Sequence, residues 1–451
     1  MVPPEILTLV PDFLDDEDEI VTLTHVCQAW RGAFISRACL WTYFDCKDGE
    51  KTRVYFERSK SSPIRLLLDK SKDISLHNPF FQVIPRATGR LESLSVKGTT
   101  ESIQVIISRL SYSAPLLEHL SIDASHGDLP YRHPTITSAL FNGDLSSLRT
   151  LHLVFVHTEL PWRNMVNLTS FTLSYTSPIS IEQLIDFLES APYLRTVELY
   201  FATLAVGIES GRLVSLACLK SMKIDDDGPP CALLDHLLIP VGVELEIMGD
   251  VTGSLIGEVL PRSLDNLKNL HNFTKIRIRV DKTRLLMKFS GPNGQVSTIS
   301  RTFRADPTNW LFESLVQLDA SKTERLEMHR AKPPSGDLLN QALLSMTGLR
   351  TLTLGTCRST HIFIQALRPS ASSSEVMPCP KLEGLTLVLR ADEEFDITGL
   401  VEMAVARASG GKKLRTIEIT NRGGDDLDVS ELRKHVWNVE YVHEVVEPMF
   451  P

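Results

Sequence analysis

One phrase of apolar and polar positions recurs along the chain: apolar, two residues, apolar, one residue, apolar. It stands at Leu91-Glu-Ser-Leu94-Ser-Val96, Leu117-Glu-His-Leu120-Ser-Ile122, Leu148-Arg-Thr-Leu151-His-Leu153, Leu168-Thr-Ser-Phe171-Thr-Leu173 and Leu194-Arg-Thr-Val197-Glu-Leu199. It returns at Leu219-Lys-Ser-Met222-Lys-Ile224, Phe273-Thr-Lys-Ile276-Arg-Ile278, Leu349-Arg-Thr-Leu352-Thr-Leu354, Leu382-Glu-Gly-Leu385-Thr-Leu387 and Leu414-Arg-Thr-Ile417-Glu-Ile419. The first six starts are 26, 31, 20, 26 and 25 residues apart, and the last two gaps are 33 and 32. The longer gaps of 54 and 76 leave room for weak copies at Val243-Glu-Leu245-Glu-Ile247 and Arg325-Leu326-Glu-Met328. A single such phrase means little, but ten at this spacing predict a repeat array.

The alternating end of each phrase, Leu151 and Leu153 for example, predicts a short strand with one buried side. Helical stretches lie between. Ile103, Ile106, Ile107 and Leu110 fit one helix face, as do Ile181, Leu184, Ile185 and Leu188, with Pro115 and Pro192 helping to end those helices. One strand and one helix cannot bury their faces alone, whereas stacked copies can, giving an α/β solenoid with a parallel sheet on its concave face and helices outside. The segment Arg284–Ser300, with Gly291-Pro-Asn-Gly294 as its turn, breaks the period and predicts a hairpin inserted near the middle of the array. The array resembles the leucine-rich-repeat family in an irregular form.

Residues 1–46 read differently. Eight acids oppose Arg31 and Arg37 there, a net charge of −6 out of the chain's −9. Pro3-Pro4 opens a helix-like run with Ile6, Leu7, Val10, Phe13 and Leu14, and a second run holds Ile20, Leu23, Val26, Cys27 and Trp30. A piece this small needs the array or a partner to be stable. Val2-Pro3-Pro4-Glu5-Ile6-Leu7, then Val26-Cys27-Gln-Ala-Trp30-Arg31, then Leu40-Trp41 resemble an F-box, with Val2, Pro11 and Ala38 where the family pattern has Leu, an aromatic and Pro. Arg58-Ser59 and Pro63–Leu68 resemble the join between F-box and repeats, which gives three segments: 1–46 F-box, 47–90 join and first atypical repeat, 91–451 repeats. The resemblance implies docking onto the Skp adaptor, and through it a cullin, by Pro3, Pro4, Glu5, Ile6, Leu7, Val10, Val26, Trp30, Leu40 and Trp41. The other reading of these residues is a cap that closes the end of the array, and a residue such as Trp30 could serve both roles.

Composition narrows the remaining choices. The chain has 451 residues, 43% hydrophobic and 23% charged, which is ordinary globular protein. Its acidic balance argues against a nucleic-acid binder, and no window approaches the roughly 18 apolar residues of a membrane span. The acidic start lacks the pattern of a secretory signal. Seven cysteines without a C-x-x-C pair read as reduced thiols of a cytoplasmic or nuclear protein. Neither a nucleophile elbow, a P-loop nor a zinc-protease motif is present, so no catalytic residue, metal or cofactor is expected.

Most outward positions of the phrases are hydroxyls. The exception is residues 273–288, where Lys275, Arg277, Arg279, Lys282, Arg284 and Lys288 oppose only Asp281, a local charge of +5. Lys275, Arg277 and Arg279, with Lys223 from an earlier phrase, are the candidate contacts for an acidic or phosphorylated target, though a solvated strand face would look the same. The expected function is a non-catalytic receptor that brings a target protein to a ubiquitin ligase. The other expectation is a repeat scaffold outside any ligase.

Overall fold

The computed structural model describes residues 17–46, 48–69, 80–126, 133–137, 139–158, 165–175, 179–201, 204–205, 211–225, 231–248, 250–251, 263–270, 273–292, 296–303, 306–334, 337–369, 377–390, 395, 397–422 and 426–444. The chain is α/β and divides into two compact units, Met1–Glu209 with Leu216–Leu219, and Ser210–Ser215 with Lys220–Pro451.

The first unit opens with helices α1 (Glu17–Leu23) and α2 (Gln28–Ser36), then strand β1 (Tyr43–Asp45), α3 (Gly49–Arg58), β2 (Ile64–Asp69) and α4 (Phe80–Ala87). It continues with β3 (Leu91–Lys97), α5 (Thr100–Ile107), β4 (His119–Asp123), β5 (Thr150–Val154), β6 (Ser170–Ser174), α6 (Ile181–Ser190) and β7 (Thr196–Tyr200). The strands pair in parallel in chain order, β1 through β7. The apolar phrase positions are buried throughout, and Phe171 of β6 packs on Phe187 of α6 with ring centroids 4.5 Å apart, so strand and helix share one core.

Local chemistry starts these helices. The Asp48 carboxylate accepts from the amides of Glu50 and Lys51 at α3, Thr99 caps α5, and Ser180 with Gln183 forms a capping box at α6. Helix α6 stops at Ser190, two residues before Pro192, as expected. Helix α5 ends at Ile107, well short of Pro115, whose carbonyl instead accepts the Ser147 hydroxyl at 2.6 Å.

The second unit holds β8 (Ser221–Asp225), α7 (Cys231–Leu234), β9 (Glu244–Met248), β10 (Lys275–Asp281), β11 (Arg284–Ser290), β12 (Val296–Phe303), α8 (Thr308–Gln317), β13 (Arg325–His329) and α9 (Leu338–Ser345). There follow β14 (Thr351–Gly355), α10 (Thr360–Ala366), β15 (Gly384–Leu389), α11 (Ile397–Ser409), β16 (Thr416–Asn421), α12 (Leu432–His435) and β17 (Asn438–His443). Helices α8 to α12 pack each on the next, forming a second layer. The weak copies near 243 and 325 are β9 and β13.

The expected hairpin exists as β11–β12, but it is no appendage. β10, β11 and β12 form an antiparallel meander lying in the sheet: β12 pairs in parallel with β9, and β10 in parallel with β13. The spatial order is therefore β8-β9-β12-β11-β10-β13-β14-β15-β16-β17. A meander with an odd number of strands lets the chain leave the ladder in the direction in which it entered, so the parallel array resumes.

The three-residue step at the head of the phrase has a structural cause. Strict alternation would put Leu148 and Leu151 on opposite sides, yet both are buried. The Glu118 carbonyl accepts the amides of both Arg149 and Thr150 at 2.8 and 3.0 Å, and the Arg149 carbonyl takes those of Thr169 and Ser170 likewise. This bulge absorbs one residue and returns the next leucine to the core. At the other end, Phe155, Tyr175 and Phe201 leave β5, β6 and β7 with left-handed φ of 56°, 52° and 48°. Their rings stack along the ladder, Phe155 on Tyr175 at 4.7 Å and Tyr175 on Phe201 at 4.8 Å.

Candidate functional site

The first candidate surface is the N-terminal module. Pro3, Pro4, Glu5, Ile6, Leu7 and Val10 lie outside the described residues. The second apolar run is two helices rather than one. Thr24 returns its hydroxyl to the Val21 carbonyl at 2.7 Å, closing α1, and the chain turns before α2 begins. Arg31 secures this turn, its Nε donating to the Thr24 carbonyl at 3.0 Å.

That break decides which side chains face outward. Val26, in the turn, is 58% exposed. Trp30 is half-buried and stacks on Phe34 at 5.6 Å. Leu40 is half-buried in the one-turn helix Ala38–Trp41. Trp41 differs: it is 0% exposed, its indole N–H donates to the Phe34 carbonyl at 3.0 Å, and its ring meets Tyr55 edge-on at 4.9 Å. The Arg58 guanidinium covers it at 4.3 Å. Trp41 therefore ties the module to α3 and offers no surface to a partner. Beside it, a cleft of about 520 Å³ is lined by Val21, His25, Arg31, Ile35, Val54 and Arg58.

The second candidate surface is the polar side of β10. Alternation buries Ile276, Ile278 and Val280 and turns Lys275, Arg277 and Arg279 outward. These three stand together, but Lys223 does not join them. It lies on β8, with β9, β12 and β11 intervening, and pairs with Glu246 at 3.7 Å.

Glu327, from the weak copy on β13, lies directly opposite Arg277. Its oxygens take Lys275 Nζ at 2.5 Å and Arg277 Nε at 2.6 Å. Burial would raise the Glu327 pKa, but the hydrogen bonds from Lys275 and Arg277 outweigh it and hold the carboxyl below its ordinary range. Asp281 does the same for Arg279, at 2.9 Å, and for Arg330. Lys275, Arg277 and Arg279 are thus ion-paired within the fold, although Glu327 is, among the described residues, the only carboxylate added to Asp281 and offsets one of the charges read from residues 273–288. Lys288, across β11 from Arg277, and Arg325, across β13 from Lys275, are exposed and meet no carboxylate among the described residues.

His329 lies in the same patch, its ring over Gly355 on β14, where any Cβ would collide with it. Burial lowers its pKa; Glu327 pulls the other way, and Arg277 and Arg279 add to the lowering. The patch can hold an anion against fixed guanidiniums. Pairing positions such as Glu327 carry no local signature in the sequence, although the outward slot of the weak copy at Arg325–Met328 marked it as a strand residue.

Among the described residues no cluster of His, Cys, Asp and Glu could hold a metal ion, and no helix is long and apolar enough to cross a membrane. Cys46, Cys357 and Cys379 are buried free thiols, whereas Cys27, Cys39 and Cys218 are exposed. No protein-family model matches the chain, and no curated protein matches its sequence.

Proposed function

We propose that the chain is the substrate-recruiting F-box subunit of a Skp–cullin–F-box ubiquitin ligase. Residues 1–46 would bind the Skp adaptor, and the leucine-rich-repeat-like ladder would bind an acidic or phosphorylated target. The observation that carries the reading is a small helical module that leaves Val26 exposed, beside half-buried Trp30 and Leu40, ahead of a strand–helix ladder with clustered bases. Such a protein needs no catalytic group. Holding adaptor and target at once raises the effective concentration of the target's lysines near the ubiquitin-loaded enzyme. Reduced thiols fit a cytoplasmic or nuclear setting.

A second reading is favoured by Trp41. Its complete burial against Tyr55 suits a module that caps the first strands of an interaction scaffold outside any ligase. Co-expression with the Skp adaptor separates the two. Under the ligase reading the full chain co-purifies with adaptor, whereas Val26→Glu and Trp30→Ala variants, shown to be folded, lose it. A folded full chain that does not bind adaptor would leave the scaffold. For the target, charge reversal at Lys275, Arg277 and Arg279 abolishes capture if the patch is the contact, and retained capture removes it.

A further inference from the structure

The second residue of each phrase sits where the chain enters its strand, and within each unit some of these residues meet those of the next copy along a rim of the sheet. In the second unit Glu383 stands between Arg350 and Arg415, one copy away on either side, at 3.4 and 3.5 Å. The corresponding rim of the first unit runs Glu118, Arg149, Thr169, Arg195. Strand register makes the correspondence strict. Thr150 pairs with Ser170 and Ser170 with Thr196, as Thr351 pairs with Gly384 and Gly384 with Thr416. The flanking copies also read alike, Leu148-Arg-Thr and Leu194-Arg-Thr against Leu349-Arg-Thr and Leu414-Arg-Thr. Thr169 therefore occupies the slot that Glu383 fills.

A short hydroxyl in place of a carboxylate leaves room. A cleft of about 360 Å³ opens at this point, with Arg149, Asn167, Thr169, Tyr193, Arg195 and Cys218 among its lining residues. The neutral groups are already engaged: the Thr169 hydroxyl donates to the Arg149 carbonyl at 3.0 Å and the Asn167 amide to the Ser146 carbonyl at 2.8 Å. Arg149 is met by Glu118 at 3.3 Å, while Arg195 has no carboxylate within ion-pair distance among the described residues. Among Glu118, Arg149, Thr169 and Arg195 one positive charge is left over.

We propose that the cleft is a socket for one carboxylate, an aspartate or glutamate side chain presented by a protein partner between Arg149 and Arg195. The protein itself holds a carboxylate between two arginines in the same register at Glu383, and a monoanion balances the single unmatched charge where a phosphate dianion would exceed it. The socket does not depend on the ligase reading.

Saturation-transfer NMR on the full chain tests it, with N-acetylglutamate N-methylamide as probe and its glutamine counterpart as control. The expected result is a glutamate-probe signal that falls at least threefold in both Thr169→Glu and Arg195→Gln, and a control signal that is weak in all three proteins. Binding to the β10 patch contributes a background that these substitutions do not touch. Thr169→Glu is also expected to raise the thermal midpoint at low salt, by supplying the missing partner. A glutamate-probe signal unchanged in both variants overturns the proposal. Displacement of the probe by inorganic phosphate at lower concentration than by acetate overturns the carboxylate assignment.

Discussion

Arg407, on α11, is 0% exposed, and among the described residues no carboxylate forms an ion pair with it. Its Nη1 donates to the carbonyls of Leu367 and Pro378 at 3.2 and 3.0 Å, and its Nη2 to that of Cys379 at 2.8 Å. Burial pushes the Cys379 thiol up to about 12, so no thiolate balances the charge. The guanidinium is a clamp that satisfies three carbonyls of the connection between α10 and β15. Charge-assisted hydrogen bonds contribute about 1.5–3 kcal/mol each, roughly 5–9 kcal/mol for three, against several kcal/mol for desolvating the cation. Arg407→Met keeps much of the volume and orphans the carbonyls, so the net loss is about 3 kcal/mol. At roughly 2–4 °C per kcal/mol for a unit of this size, its transition falls by about 6–12 °C. Calorimetry of the full chain reads this directly, and tryptophan fluorescence from Trp310 and Trp437 reports on the second unit. Arg407→Lys falls between, because one ammonium cannot span three carbonyls that a planar fork reaches. A midpoint for Arg407→Met within 1 °C, roughly, of the parent would refute the clamp.

Tyr175→Ala and Tyr175→Gly both lose the contacts to Phe155 and Phe201, about 1–3 kcal/mol together, but glycine regains about 1 kcal/mol at the left-handed φ. Urea unfolding should therefore rank glycine above alanine at this position, and the reverse order would refute the assignment of strain. Gly355→Ala drives a Cβ into the His329 ring, costing about 1–3 kcal/mol, and adding His329→Ala recovers most of it; additive losses in the double variant would refute the contact. His329 is held below its ordinary pKa of 6.5, so its contribution to stability is complete above that pH and is lost as pH falls through the folded value. Replacing Arg277 and Arg279 by Gln should move its NMR titration upward, and an unmoved titration would show that the two guanidiniums do not act on it. Glu327 is also depressed, so its contribution is present above about pH 4.5 and lost as pH falls through the folded value, a loss that Glu327→Gln should remove from the acid limb of the stability curve.

The ladder was legible because burial on one side of a strand imposes a period of two, and the phrase repeats it. The two clearest helix faces, around Ile103 and Ile181, were readable for the same reason. The candidate surfaces were less so. Trp41 and Trp30 look alike in sequence, yet one is core and the other half-exposed, because α3 folds back over Trp41 and not over Trp30. The break between α1 and α2 rests on a local hydroxyl-to-carbonyl bond at Thr24, which an apolar pattern does not register.

By itself, then, the sequence determined what depends on neighbours along the chain: strand positions, their buried and outward sides, and the concentration of bases between 273 and 288. Only the tertiary structure decided what depends on neighbours across it. Strand order brought Glu327 against Lys275 and Arg277 and separated Lys223 from them. Register set Thr169 where a second glutamate would complete the rim, and packing enclosed Arg407 among carbonyls. Residues tens of positions apart make these contacts, and sheet pairing fixes them through backbone hydrogen bonds that every residue type except proline can form, so no local pattern of side chains encodes them.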